Sequence, residues 1–160
     1  MTGILIRTAT PADLGAVVGL LAAQLAEHGI GTPRQAIARA AHGSVEDAGG
    51  RGRILVAEGA AGAATAVLGV AVLSYQWTLE HGGRSAWLEE LYVVPARRGR
   101  GIGRALLLAA LEAAARDGAG AVDLEVAVGH ERVETLYRRE GFAPLPRTRW
   151  VRRLGAVPPR

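Results

Sequence analysis

The chain contains no cysteine and no lysine, and only one methionine and one phenylalanine. Without cysteine there are no disulfides and no thiolate metal sites, which suits a reducing compartment. Without lysine there is no P-loop, because its Gly-Lys-Ser/Thr ending cannot be written. No secretory segment and no apolar run of about 18 residues occurs, so no membrane partner is expected and a cytoplasmic protein is. Aromatic residues make up 4% of the chain, and neither an RNA-binding aromatic motif nor a helix-turn-helix spacing is visible.

What is present is a chain of 160 residues, long enough for one domain with a real core, expected over residues 1–160 with a frayed C-terminal tail after about residue 154. All 19 basic residues are arginine against 15 acidic ones, giving a net charge of +4. That balance raises a nucleic-acid reading, but the arginines form no single tract. Arg97, Arg98, Arg100 and Arg104 cluster in one loop, which suits a small polyanion. Arg147, Arg149, Arg152 and Arg153 lie near the C-terminus, as on a solvated strand face. No nucleic-acid partner is expected.

Residues 87–104, WLEELYVVPARRGRGIGR, organise the rest. Leu88, Leu91, Tyr92, Val93 and Val94 favour a strand, which Pro95 stops. An arginine–glycine loop follows, then a strong helix from Arg104 onward. A strand, a glycine-rich turn and a helix N-terminus make an anion site, since the first-turn amides are unpaired and the helix dipole is positive there. The dinucleotide fingerprint fails, because its third glycine would fall on Arg104.

The remaining elements follow from periodicity. Residues 4–7 read as a strand, and Thr10-Pro11 starts a helix with Asp13 in its first turn. Leu14, Val17, Val18, Leu21 and Leu25 keep a 3.6-residue period to about His28, and a second helix runs from Pro33 to near Asp47. Strands at 53–58 and 67–75 form an antiparallel meander with the one ending at Val94. A helix from Gly101 to Asp117 leads by a right-handed crossover to a strand at 122–128. A short helix at 131–140 and a final strand at 147–154 complete the chain.

The loop Arg98-x-x-Gly101-x-Gly103, directly after Leu91-x-Val93-x-Pro95, resembles the coenzyme A pyrophosphate loop of the GNAT family of N-acetyltransferases. Leu136-Tyr137-Arg138-Arg139-Glu140-Gly141-Phe142 is similar to that family's closing L-Y-x-x-x-G-F motif. The resemblance covers about residues 4–154. It implies an α/β (α+β) fold with a mixed, mostly antiparallel central sheet, flanked by about four helices and splayed between strands 4 and 5, after Val94. It implies acetyl-CoA as co-substrate, no metal, and direct transfer in a ternary complex to a primary amine of a small molecule or of a protein or peptide. A homodimer is a further expectation, separate from the resemblance. Cofactor contacts carry over to Leu91, Tyr92, Val93, Arg98, Gly99, Arg100, Gly101, Ile102, Gly103 and Arg104. His130 stands seven residues before Tyr137, where family members commonly carry a pantetheine-binding asparagine.

A free alkyl amine is almost wholly protonated at neutral pH, so the transfer needs a base. Glu89 and Glu90 are the candidates, and strand alternation sends them to opposite faces. The segment Leu88-Glu89-Glu90-Leu91-Tyr92-Val93 looks like that of diamine and thialysine N-acetyltransferases, and by its position relative to Arg98 Glu89 is the preferred base. Glu90 replaces it if a bulge breaks the parity. Tyr137 is the candidate general acid for the departing thiolate, and Trp77, Glu80 and His81 are candidate acceptor contacts. Two other readings compete: a module that senses acyl-CoA without turnover, and a nucleic-acid-binding protein.

Overall fold

Five strands join into one sheet in chain order: β1 (Leu5–Thr8), β2 (Gly52–Ala61), β3 (Ala64–Thr78), β4 (Gly83–Val93) and β5 (Val122–Leu124). This architecture is that of a computed structural model, which describes residues 3–47, 50–61 and 64–155. The first four strands pair antiparallel and β4–β5 is parallel, so the sheet is mixed and mostly antiparallel as expected. Four helices accompany it among the described residues: α1 (Leu14–Glu27), α2 (Arg34–Glu46), α3 (Ile102–Arg116) and α4 (Glu131–Arg139). The chain divides into two compact units, Met1–Ala127 and Val128–Arg160.

Within the first unit, strand alternation sorts apolar side chains onto two faces. Ile54, Val56, Val70 and Tyr92 meet Val17, Val18 and Leu21 of α1 and Ile37 and Ala41 of α2 in one buried cluster. On α3, Leu106, Leu107, Ala110, Ala113 and Ala114 are buried against β2, β3 and β4. Gly69 sets how near that helix comes, since a Cβ there would lie 2.9 Å from both Leu106 Cδ1 and Tyr92 O. The chain enters α1 through a 3-10 turn at Pro11–Asp13. There the buried Asp13 carboxylate accepts from the Thr10 amide at 2.7 Å and from two Arg7 guanidinium nitrogens at 2.7 and 2.9 Å.

Two expected strands change. The one at 122–128 shortens to Val122–Leu124, because its ladder on β4 ends at the pair Leu88↔Leu124. The final strand at 147–154 is absent: residues 147–155 carry no strand, and Trp150, Val151 and Leu154 are largely exposed. A strand needs a ladder partner for its backbone groups, and no described strand pairs with this segment. Its approach through Pro144 and Pro146 also removes two donors. Pro158 and Pro159 lie outside the described residues, and none of the described helices is long and apolar enough to cross a membrane.

Candidate active site

The register between β3 and β4 slips by one residue in the middle of the sheet. Val72 faces Glu90 but Leu73 faces Leu88, so Glu89 is an extra residue opposite a continuous β3. Such a bulge bends its strand and breaks side-chain alternation. Here it turns two adjacent carboxylates toward one place, where Glu89 and Glu90 line the same cavity as Val72 and Ser74. The Ser74 hydroxyl donates to Glu89 Oε1 at 2.6 Å. Glu89 is exposed, whereas Glu90 is half-buried. Burial, and then the charge of Glu89, push the Glu90 carboxyl up to about 7.

The cavity occupies about 560 Å³ between the sheet and the helices α1 and α2. That is within the ~300–1,000 Å³ of small-molecule sites. Beside the bulge the sheet opens. β5 follows β4 only from Ala86 to Leu88, leaving the Glu89–Val93 edge without a strand partner there among the described residues. The splay therefore starts earlier than Val94, because the strand bends at the extra residue.

β4 runs directly into the arginine–glycine turn. A 3-10 turn at Pro95–Arg97 is followed by Gly99 at φ +73° and Gly101 at φ +81°, both left-handed, with Gly101 capping α3. A Cβ added at Gly99 or Gly101 would meet no protein atom within 4 Å, and one at Gly103 would meet only Val93 Cγ2 at 3.8 Å. The turn is a bare backbone cradle at a helix N-terminus, where first-turn amides have no acceptor in the helix. It fits a pyrophosphate. Arg100 and Arg104 are exposed beside it, Ile102 is buried beneath it, and Arg97 is turned back to Ala60 O at 2.8 Å.

Arg98 does something the motif did not reveal. Its Nε donates to Val93 O at 2.8 Å, and its Nη2 donates to both Glu27 carboxylate oxygens at 3.0 and 2.9 Å. The guanidinium also lies 5.0 Å over the Tyr92 ring, while the Tyr92 hydroxyl donates to Glu27 Oε1 at 2.8 Å. The Tyr92 hydroxyl and then Arg98 hold the Glu27 carboxyl below its ordinary range. This brace ties the turn to the end of α1. Sequence reasoning missed Glu27, although a carboxylate in a helix's last turn opposes the dipole and so signals an outside partner.

Trp77 and His81 do not line the cavity, and neither does Glu80: Trp77 is 83% exposed and His81 Nε2 lies 2.9 Å from Asp123. Leu91 is half-buried on β4, and Tyr92 and Val93 are buried. In the second unit, His130 occupies the N-cap position of α4, and the buried Tyr137 meets Phe142 edge-to-face at 5.6 Å.

The Acetyltransferase (GNAT) family model matches residues 32–142. Mycothiol acetyltransferase of Nocardia farcinica (strain IFM 10152) is 38% identical over 76 residues, which cover 46% of this chain and 25% of that protein. The matched part thus spans a quarter of that curated relative's length. A solved structure from Arthrobacter sp. FB24 is 30% identical with a TM-score of 0.75, covering 94% of this chain and 96% of that one. Aminoglycoside N-acetyltransferase AAC(6')-Iy, solved in complex with CoA, superposes at a TM-score of 0.80 over 97% of both chains, and at 18% identity that likeness is one of fold. The family match takes in both the bulged strand and the glycine turn, and this chain belongs to the GNAT acetyltransferase family.

Proposed function

We propose that the chain transfers the acetyl group of acetyl-CoA directly to a primary amine of a small molecule, in a ternary complex. The observation that carries this is the half-buried Glu90, raised to about 7, in a cavity beside the open edge of β4. An amine with a pKa near 10.4 is neutral in only on the order of one molecule in a thousand at pH 7. Glu90 takes the ammonium proton, and a base poised near the working pH does so with the best balance of ionised fraction and driving force. This moves the base from Glu89, preferred for its position relative to Arg98, to its neighbour. Glu89 adds the charge that draws the ammonium in.

The backbone of residues 99–103, the first turn of α3 and the side chains of Arg100 and Arg104 would hold the pyrophosphate of the co-substrate. The β4 edge from Leu91 to Val93 would hold its pantetheine arm; His130 is proposed as a contact only on the strength of its place seven residues before Tyr137, where the family commonly carries asparagine. When bound, acetyl-CoA supplies a thioester-activated acetyl group. The partnerless β4 edge offers amides to developing negative charge on oxygen. Tyr137 is proposed as proton donor to the sulfur on the strength of the L-Y-x-x-x-G-F motif, since a phenol keeps its proton at neutral pH. The test is amine-dependent release of free CoA thiol from acetyl-CoA, with thermal shift by CoA measured alongside. Thiol release that tracks amine concentration is expected. A CoA shift without turnover of any amine would leave a sensing module instead.

A further inference from the structure

The cavity wall narrows the amine, on the footing that this cavity is the acceptor site proposed above. We propose that the acceptor is a monoamine on a hydrocarbon body, an alkylamine or arylalkylamine, and not a polyamine or an aminosugar. Leu21 and Leu25 of α1, Ala36, Ile37 and Ala40 of α2, and Val72 of the sheet supply apolar walls. Such walls reward methylene groups and give a hydroxyl no partner.

The two serines of the lining are spent on the protein itself, and Thr32 and Arg39 are exposed. Ser44 Oγ donates to Ala40 O at 3.0 Å and Ser74 Oγ to Glu89 at 2.6 Å. The charge pattern points the same way. Three carboxylates line the cavity, but Asp47 accepts from the Arg51 amide at 2.6 Å and from Arg51 Nε and Nη2 at 3.2 and 3.1 Å. Only Glu89 and Glu90 remain to meet a cation, and they are adjacent. A second ammonium at the far end of the same ligand would find apolar wall and the side chains of Arg39 and Arg51, which also line the space. Arg39 and Arg51, both exposed and cationic, would repel it there.

The test is kcat/KM with acetyl-CoA for the straight-chain amines from ethylamine to hexylamine, for 1,6-diaminohexane and for an aminoglycoside. Each added methylene should raise kcat/KM by about 4-fold until the cavity is filled. Hexylamine should exceed 1,6-diaminohexane, its match but for one terminal charge, by at least about 10-fold. Ala40→Asp, a change at an exposed position of α2, should bring the diamine up relative to hexylamine by giving its second charge a partner. Turnover in which the diamine or the aminoglycoside equals or exceeds hexylamine would overturn the inference and leave amine acetylation standing. No turnover of any amine by protein that still binds CoA would overturn the amine reading itself, and this inference with it.

Discussion

The arginine–glycine turn and the bulge one strand-length before it handle charge in opposite ways. At the turn the charged groups are exposed, the glycines have nothing in front of them, and the positive field comes from arginines and backbone amides. At the bulge two carboxylates share an apolar-walled space, and one of them is pushed far from its ordinary pKa. The difference is instructive. Holding an ionised phosphate needs donors that stay solvated until the ligand arrives, so little is spent on desolvation. Moving a proton at neutral pH needs the reverse, a carboxylate drawn partly out of water so that it releases and takes a proton near pH 7.

Glu90→Gln strikes the second region hardest. It should lower kcat/KM by ~100-fold to ~10,000-fold at pH 7 and lose that penalty as pH nears the amine's own pKa. The parent's kcat/KM should rise with pH through about 7 as Glu90 ionises. Stability runs the other way. The folded carboxyl binds its proton more tightly than the unfolded one, so its contribution is full in acid and is lost as pH rises from the ordinary carboxylate range through about 7. Glu90→Gln should therefore raise Tm at pH 8 and change it little at pH 4. A larger rate loss in Glu89→Gln than in Glu90→Gln would return the base to Glu89.

Gly103→Val tests the first region. Its Cβ meets only a distant methyl of Val93 in the free protein, so the fold should hold. A ligand at a hundred times its Kd adds about 2.7 kcal/mol, and the variant should lose most of that CoA-induced stabilisation. A full thermal shift in folded Gly103→Val would show that the turn is not the pyrophosphate cradle.

The smallest effect is expected where the brace joins the turn to α1. Glu27→Gln keeps an acceptor for Tyr92 but removes the charge facing Arg98, in a pair whose side chains are 45% and 42% exposed. Stability should fall by no more than about 1 kcal/mol in urea unfolding. If the brace positions the turn, KM for acetyl-CoA should rise by less than about fivefold at unchanged kcat. A drop in kcat at constant KM would place Glu27 with the chemistry of the bulge instead.

How much was legible depended on how local each feature is. The turn was readable because Pro95, Gly99, Gly101 and the α3 sequence each set their own backbone, with Gly99 and Gly101 in left-handed conformations as a tight turn into a helix requires. The α1 register was readable because Val17, Val18 and Leu21 repeat at the helical period and are buried. The bulge was not, since alternation along β4 assumes an unbroken ladder and only pairing with β3 decides where a residue is left over. Residues 147–154 misled for the same reason, their composition being silent about whether a partner strand exists.

The sequence by itself thus determined the strand–turn–helix, the apolar faces of the main helices, and the presence of two carboxylates and an arginine cluster on one segment. Only the tertiary structure decided that Glu89 and Glu90 share a cavity, that Glu90 is the one drawn out of water, and that Arg98 is bound to Glu27, 71 residues away. Backbone conformation is set by neighbours in the chain. A carboxylate's pKa and an arginine's partner are set by whatever folding brings within a few ångströms, and no local pattern encodes that.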